Sequence, residues 1–310
     1  MKRTIALFIL SFMFVWLSSC DTAKNSDNLS AALKEIIEED EVISLDALDD
    51  GGAQELTYDY GSLAKAVGDT LPVNFRQVRF GRKITAKPTR EIELNIAETT
   101  AVALVTTTVT GKFKVVFVDT VQHTAIDSVT KDFTEISYQK LKLQKVRNTD
   151  NPKKDWRVVA VSPIIGRTVG NTIEIKSFSL KLRNSDEGLE LANDANDSLL
   201  DHFIDRQSLI KLRPNGAYNI TIAIENTQPF YQEPGEFVTV NFGIKMGVLK
   251  FRRPLLDQDN DNIYTGVIML HGHRSPMCRL FLDVIDYASI FVKSAPFNAT
   301  FWAFPHWVKY

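Results

Sequence analysis

The sequence predicts an α+β amino-terminal domain built on an antiparallel sheet, followed by an all-β sandwich. Apolar residues recur at helical spacing early in the chain, over residues 29–40. From residue 91 onward, long segments alternate apolar and polar side chains, the period of two that half-buried strands require. About seven short segments of this kind, separated by turn residues, fill the carboxyl-terminal third, a spacing typical of two packed antiparallel sheets.

The early helix is predicted by a single apolar face. Leu29, Leu33, Ile36 and Ile37 fall on one side of a helix, and charged residues fall on the other side. Two consecutive glycines at positions 51 and 52 indicate that any helix has ended by that point. Residues 54–90 give weak signals for either type of element.

The strands of the amino-terminal domain are predicted in pairs. Thr100–Thr110 and Lys112–Asp119 are rich in valine and threonine and are separated by one glycine, which predicts a hairpin. Phe133–Val146 is a long alternating strand, and Asp155–Val161 is predicted to return beside it. Asn171–Leu182 alternates cleanly and adds a further strand.

A change of composition predicts a domain boundary after residue 183. Residues 184–208 are rich in Asp and Glu and are interpreted as an acidic connector. This interpretation divides the chain into an α+β domain over 29–183 and a β-sandwich domain over 209–310. A chain of this length is expected to form roughly two domains.

The amino terminus is predicted to be an export signal. Two basic residues precede an uncharged apolar run of about 14 residues, shorter than the roughly 20 that a membrane-spanning helix needs. The run leads into Leu17-Ser18-Ser19-Cys20, which resembles the lipobox of bacterial lipoproteins. The resemblance implies a signal peptide over 1–19, an acylated Cys20, a tether over 20–28, and a location in the bacterial cell envelope, facing the periplasm or the exterior. The alternative is an ordinary cleaved signal with an incidental cysteine.

The charge balance argues against one class of partner. Lys and Arg total 36, Asp and Glu total 38, and the net charge is −2. A nearly neutral chain is unlike a protein whose main partner is nucleic acid. The chain has two cysteines, and acylation of Cys20 would leave Cys278 without a disulfide partner.

An acidic turn is the best candidate for a metal site. Asp257, Asp259 and Asp261 alternate along a loop, as the first ligands of calcium loops do. Ile268 stands at the twelfth position, where such loops place a bidentate glutamate. The alternative is a solvated turn whose Asp and Asn residues serve turn geometry alone.

Two further groups of residues are candidates for contact with a ligand or partner. Lys140 and Lys142 share one strand face in a basic segment that could meet anionic head groups, an acidic partner or the chain's own connector. The alternative is a solvated sheet face. Trp307 and Tyr310 follow Pro305 and are predicted to be exposed for docking; the alternative is a last strand that closes the sandwich.

The carboxyl-terminal segment also resembles immunoglobulin-like modules of bacterial surface proteins. The resemblance rests on Pro214-Asn215-Gly216, on a strand pair joined by an acidic loop, and on the closing segment 297–302. It covers about a third of the chain. It implies adhesion, spacing or assembly rather than chemistry.

The sequence favours a function without catalysis. It contains no Gly-x-Ser-x-Gly elbow, His-Glu-x-x-His, P-loop or dinucleotide fingerprint. We expect a lipid-anchored, extracytoplasmic, non-enzymatic structural or assembly protein, without a cofactor unless calcium binds, whose partner is an envelope protein or glycan. The alternatives are a surface module that binds a glycan or another extracellular ligand, and a lipid-anchored hydrolase that uses His271 and His273 or the acidic connector.

Overall fold

The computed structural model describes residues 27–43, 45, 48, 54–56, 77–119, 124–193, 198–229, 235–243, 251–269 and 277–308. Most of these residues lie in β-strands, and nearly all strand pairs are antiparallel. The strands are β1 (Gln54–Leu56), β2 (Gln77–Ile84), β3 (Thr89–Ile96), β4 (Thr100–Val118), β5 (Ala125–Lys145), β6 (Trp156–Val161), β7 (Ile164–Thr168), β8 (Ile173–Leu182), β9 (Gly188–Ala192), β10 (Ile204–Asp205), β11 (Lys211–Leu212), β12 (Ala217–Asn226), β13 (Glu236–Gly243), β14 (Phe251–Leu255), β15 (Ile263–Met269), β16 (Met277–Asp286) and β17 (Ala299–Val308). The helices are α1 (27–38), α2 (Pro152–Asp155) and α3 (Tyr287–Phe291), with 3₁₀ turns at Glu41–Ile43 and Leu199–Asp201.

The strands form two sheets. A 13-stranded sheet has the main order β1-β2-β4-β5-β7-β17-β16-β13-β14, and β3, β6, β10 and β11 pair beside this path. A four-stranded sheet has the order β15-β12-β8-β9. Both sheets contain strands from both sides of the predicted connector at 184–208, because β7 pairs with β17 and β8 pairs with β12.

The larger sheet curls until distant strands meet. β2 and β16 are five positions apart in the strand order, which in a flat sheet would separate them by about 24 Å. Arg82 on β2 nevertheless donates to both carboxylate oxygens of Asp283 on β16, at 2.6 and 2.8 Å, and to Glu135 on β5 at 3.0 Å. Each of these three residues is 1% exposed. A buried ion cluster therefore joins strands that the sheet order places far apart.

The first hydrophobic core lies inside this curl. Phe80 and Phe113 on β2 and β4 belong to the same buried cluster as Phe281 and Phe301 on β16 and β17. The ring of Phe297 lies 4.3 Å from the ring of Phe113, measured between centroids, and 5.0 Å from the guanidinium carbon of Arg82. The aromatic core thus surrounds the ion cluster and limits its contact with water.

The second core lies on the opposite face of the same central strands. The four-stranded sheet packs there, so that Phe178 and Ile222 share a cluster with Leu282, Trp302 and Phe304. β16 and β17 are therefore buried on both faces, which explains why both alternating sets of residues in these strands are mostly apolar.

A third core lies beneath α1. Leu33 and Ile37 of this helix are fully buried against Ala103 of β4 and Leu141 of β5. The helix lies where the apolar periodicity of residues 29–40 predicts it. Its amphipathic face covers one end of the long β4–β5 hairpin.

The structure corrects the prediction of a separate α+β domain over 29–183. Its strands do not close a sheet of their own: the edge that β7 would leave is paired with β17, and β8 belongs to the second sheet. An unpaired edge exposes backbone donors and acceptors, so pairing with the carboxyl-terminal strands satisfies groups that a separate domain would leave open. The described fold is mostly β, with two antiparallel sheets.

The predicted hairpin at Gly111 is also wrong. Residues 100–118 form one continuous strand, and Gly111 lies in its middle. A Cβ at this position would come within 2.4 Å of the carbonyl oxygen of Lys83 and 2.7 Å of the Phe133 ring. Glycine is required here because a neighbouring backbone and an aromatic side chain approach closely, not because the chain turns. The predicted pairing of Phe133–Val146 with Asp155–Val161 is confirmed as β5 with β6.

Candidate interaction surfaces

The outer face of β15 carries the most exposed apolar residues of the second sheet. Ile263, Val267 and Met269 are 40%, 55% and 58% exposed. They point away from the second core, into which Tyr264 and Ile268 of the same strand are buried. Because β15 is the edge strand of its sheet, these side chains form an apolar stripe along an edge. We call Ile263–Met269 the β15 edge.

The backbone of the β15 edge faces β12 and the β14 side in alternation. The N–H of Ile224 donates to the carbonyl of Asn262, so by strand alternation Tyr264, Gly266 and Ile268 bond to β12. The odd-numbered residues point the other way. Thr265 exchanges both of its hydrogen bonds with Leu256, at 2.8 and 3.0 Å. By the same alternation, the backbone groups of Val267 and Met269 point away from β12, toward the side on which Leu256 and β14 lie.

β14 leads into Leu256, which pairs with Thr265. Continuing the antiparallel register from Leu256 and Thr265 would place Pro254 opposite Val267. Proline has no N–H to donate, and β14 instead pairs with β13 in the larger sheet. Leu255 and the carbonyl of Pro254 nevertheless lie against Gly266, so β14 stays beside β15 at this corner of the two sheets.

The strands at the other ends of the two sheet orders are protected in ways that β15 is not. β14 carries Arg252, Arg253 and Pro254, β9 carries Glu190, and β1 has three residues. Charges, proline and shortness are the usual devices that prevent an edge strand from adding another strand. β15 has no charge and no proline along its length. This strand is one of the short alternating segments predicted in the carboxyl-terminal third, but its position at a sheet edge was not predicted. The available signal was a strand with apolar or uncharged residues on both faces.

The predicted calcium loop uses its carboxylates for its own backbone. Asp257 accepts hydrogen bonds from the N–H groups of Asp261 and Asn262, at 3.2 and 2.8 Å, and Asp261 accepts from Ile263 at 3.0 Å. Asn260 and Asn262 have positive φ angles of 54° and 63°, as asparagine in tight turns commonly does. The part of the chain with described side chains contains no group of three or more His, Cys, Asp or Glu residues arranged for a metal. Asp259 lies exposed at the loop tip.

A buried polar network lies at the same end of the sandwich. Glu236 accepts from the amide of Asn226 at 2.6 Å and from the hydroxyl of Tyr264 at 3.1 Å. Asp286 caps α3 by accepting from the N–H of Ala288 at 2.7 Å. Burial raises the pKa of both carboxyl groups, of Glu236 and of Asp286. The network joins β12, β13, β15 and β16, and its hydrogen bonds satisfy buried groups rather than point into a cavity.

The predicted basic surface contacts the acidic connector of the same chain. The ammonium of Lys140 lies 2.6 Å from the carboxylate of Asp201. The ammonium of Lys142 lies 4.0 Å from the centre of the Phe203 ring, a cation–π contact. Lys153 also pairs with Glu35 of α1. Of the partners that the sequence analysis left open for Lys140 and Lys142, the described structure contains the chain's own connector.

Trp307 is packed rather than exposed. It lies within β17, which continues through Pro305, and its indole N–H donates to the carbonyl of Arg206 at 3.4 Å. Its side chain packs against the third core. Trp302 is 2% exposed and belongs to the second core. Cys20, His271, His273 and Tyr310 lie outside the described residues, and the side chain of Cys278 is likewise not described.

A polar cleft lies between β7, β8 and β17. It has a volume of about 270 Å³, and its lining includes Arg167, Glu174, Asn193 and Trp302. Glu174 accepts from the amide of Asn193 at 3.1 Å and pairs with Lys176 at 2.6 Å. The cleft thus combines an apolar floor with charged and amide groups at its rim.

Comparisons with known proteins identify no family. No family model matches the chain, and no curated protein matches it. Among solved structures, one of extended synaptotagmin 2, with its SMP domain and two C2 domains, covers 79% of this chain and 93% of its own, at 6% identity and a TM-score of 0.16. A likeness at that score carries no argument. No helix within the described ranges is long and apolar enough to cross a bilayer.

Proposed function

We propose that this chain is a lipid-anchored, extracytoplasmic structural or assembly protein of the bacterial cell envelope, without catalytic activity. The observation that carries the proposal is the β15 edge: an uncharged edge strand with an exposed apolar stripe fits a protein that contacts other proteins. The lipobox-like Leu17-Ser18-Ser19-Cys20 supports membrane anchoring. Envelope proteins or glycans are the proposed partners, and no resident cofactor is needed for this role.

We further infer that the sandwich is immunoglobulin-like and begins earlier than residue 209. β8 lies beside β12 in the second sheet and contributes Ile173, Ile175 and Phe178 to the second core, and β9 lies beside β8. Two antiparallel sheets packed face to face suit a module that provides spacing and contact surface.

Lipid anchoring is tested by replacing Cys20. The full chain and its Cys20→Ala variant are expressed with labelled fatty acid, and membranes are separated from soluble fractions. We expect label and membrane retention in the parent, and neither in mature form in the variant, because the thiol that accepts the lipid is gone. Cys278→Ser is the matched control and should stay labelled. A mature, unlabelled Cys20→Ala chain that remains with the membranes would contradict the proposal.

The assembly role is tested at the β15 edge. A photo-reactive amino acid at Val267 should capture a stoichiometric protein neighbour in native membranes, since this side chain is exposed. The same probe at Asn219, exposed on the same face one strand further in, serves as the control. Equal yields from the two positions would argue against a specific assembly surface.

The polar cleft favours a second candidate function, binding of a glycan or another small polar ligand. Tryptophan fluorescence of the full chain is titrated with envelope sugars, and Arg167→Ala is compared with Arg183→Ala, an exposed control outside the cleft lining. Saturable binding that is lost only with Arg167→Ala would favour this candidate over assembly.

Metal binding has its own tests. Calcium bound at Asp257, Asp259 and Asp261 would raise the melting temperature of the parent chain but not of Asp257→Ala. A hydrolase that uses His271 and His273 would hold close to one equivalent of a transition metal after purification. Less than about a tenth of an equivalent of metal would exclude a metal-dependent hydrolase that uses these two histidines.

A further inference from the structure

The polar cleft between β7, β8 and β17 contains one charged side chain that has no partner in the described part of the chain. Glu174 and Glu225, the carboxylates of its lining, share the ammonium of Lys176, at 2.6 Å each. The guanidinium of Arg167 lines the same cleft and makes no hydrogen bond or ion pair with any described residue. We propose that the cleft binds a small ligand through a carboxylate that pairs with Arg167. This inference rests on the second candidate function, ligand binding in the cleft, and names the charged group of the ligand.

The backbone that carries Arg167 is held in place from three sides. β7 is paired on both edges, so that Arg167 lies opposite Ile136 of β5 and Thr300 of β17. Beneath it, Gly166 packs so closely on Phe301 that a Cβ at this position would lie 2.0 Å from the ring. A binding group on a fixed backbone has less freedom to lose when a ligand arrives, and this lowers the cost of binding.

The surface beside Arg167 is apolar. Ile165 lies two residues earlier on the same face of β7, opposite Trp302 of β17. Ile173 and Ile175 of β8 complete this part of the lining. A charged pair next to apolar side chains is stronger than the same pair in water, because fewer polar groups screen it. The guanidinium can also donate two parallel hydrogen bonds to one carboxylate, a geometry that a lysine cannot offer.

The size and rim of the cleft limit the rest of the ligand. Its volume of about 270 Å³ is just below the roughly 300–1,000 Å³ of sites for drug-sized molecules, so it suits a single ring. The amide of Asn193 donates to Glu174, and its oxygen accepts no hydrogen bond from the described residues, which leaves an acceptor for a hydroxyl group. Acidic sugars and apolar ring acids share the carboxylate, and only the sugars also carry hydroxyls.

The experiment compares charged and neutral rings of equal size. The full chain is titrated with glucuronate and with glucose by isothermal calorimetry. We expect saturable binding of glucuronate and at least about tenfold weaker binding of glucose, which lacks the group that pairs with the guanidinium. Arg167→Gln should weaken glucuronate binding at least about tenfold. Arg183→Gln, an exposed control outside the cleft lining, should leave it unchanged. Equal melting temperatures of the two variants would show that the loss is not due to unfolding.

Cyclohexanecarboxylate separates the two sources of the carboxylate. Tighter binding of glucuronate than of this acid would identify an acidic sugar, and equal binding would identify an apolar acid; both results uphold the pairing with Arg167. Equal affinities for glucuronate and glucose, unchanged binding by Arg167→Gln, or no saturable binding of either carboxylate would each overturn it. Saturable glucose binding without a preference for glucuronate would overturn the inference but keep the second candidate function. Labelling at Cys20 reports on the lipid anchor independently of all these results.

Discussion

The β4–β5 hairpin and the central strands β16 and β17 bury their side chains in different ways. On β4, odd-numbered residues from 101 to 117 are buried, and most even-numbered residues are partly or fully exposed. On β16 and β17, both alternating sets are buried, one in the first core and one in the second. The hairpin thus buries one face, whereas the central strands are buried on both faces and separate two cores. The stability of the central strands should therefore depend on the elements that pack on each of their faces, and the predictions below test that dependence.

The largest effect is expected from isolating the carboxyl-terminal segment. A fragment of residues 209–310 retains β12 but loses β8, which pairs with β12 and contributes Phe178 and Leu180 to the second core. It also exposes the face of β16 and β17 that β2 and β4 cover. We expect it to aggregate or to show no cooperative thermal transition by circular dichroism, whereas the mature chain unfolds cooperatively. A fragment that melts cooperatively would show that the central strands fold without the hairpin.

The next largest effect is expected at the ion cluster that joins the hairpin to the central strands. Arg82→Met leaves the carboxylates of Glu135 and Asp283 buried without their cation, which typically destabilises a fold by about 3–5 kcal/mol. Urea unfolding measures the change. Lys112→Met is the control, because the Lys112–Asp132 pair of the hairpin is largely exposed, and we expect a change within about 0.5 kcal/mol. Similar losses for both variants would mean that the curl does not depend on the cluster.

A pH-dependent effect is expected where β5 contacts α3. The ammonium of Lys131 donates to the carbonyls of Ala288 and Val292, at 3.2 and 2.6 Å, and burial lowers the pKa of Lys131 to about 8. Below that pH the lysine is charged in both states, and folding must bury the charge. Between pH 8 and about 10 the folded state loses the proton first, so the free energy of unfolding should rise relative to Lys131→Met.

The measurement is urea unfolding of both chains across this pH window. Taking the difference between the two chains cancels the titration of other groups, including Asp286, whose negative charge faces Lys131 and favours its protonated form. A constant difference from pH 7 to pH 10 would contradict a buried, titrating Lys131.

The smallest effect is expected on the outer face of the hairpin. Lys140→Ala removes the pair with Asp201 on the connector, whose two side chains are 28% and 55% exposed. Exposed pairs contribute about 0.2–1 kcal/mol and are screened by salt. The loss should therefore shrink in high salt, as measured by urea unfolding, and Asp201→Ala should show the same dependence. A salt-independent loss would point to packing rather than charge.

Periodicity predicted local structure well where one face of an element is buried. The helix over 29–40, the β5–β6 pair and the alternation of β12 follow directly from one apolar face meeting water on the other. The domain division could not be predicted in this way. Which strands pair depends on edges that meet only in three dimensions, as β7 and β17 do.

For the candidate sites too, the sequence predicted local features but not those that depend on three-dimensional geometry. Asp257, Asp259 and Asp261 were found as a loop, but whether their carboxylates face a cation or the backbone depends on loop geometry. Trp307 was expected to be exposed because Pro305 was taken as the end of the strand, whereas β17 runs through it. The β15 edge was missed because alternation shows which residues are inward and outward, but it does not show that a strand has no neighbour.

The packing of α1 against the sheet limits how far the body of an acylated chain could lie from the membrane. Asp27 lies in α1, seven residues after Cys20, and an extended chain of that length spans at most about 25 Å. Leu33 and Ile37 pack α1 against the body of the protein. Acylation of Cys20 would therefore hold the body within this distance of the bilayer. In an acylated copy, the end of the hairpin under α1 would stay close to the bilayer, and the 19 residues of β4 would carry its other end up to about 60 Å further. An acylated copy would therefore meet its partners within a thin layer above one membrane, and not throughout the surrounding compartment.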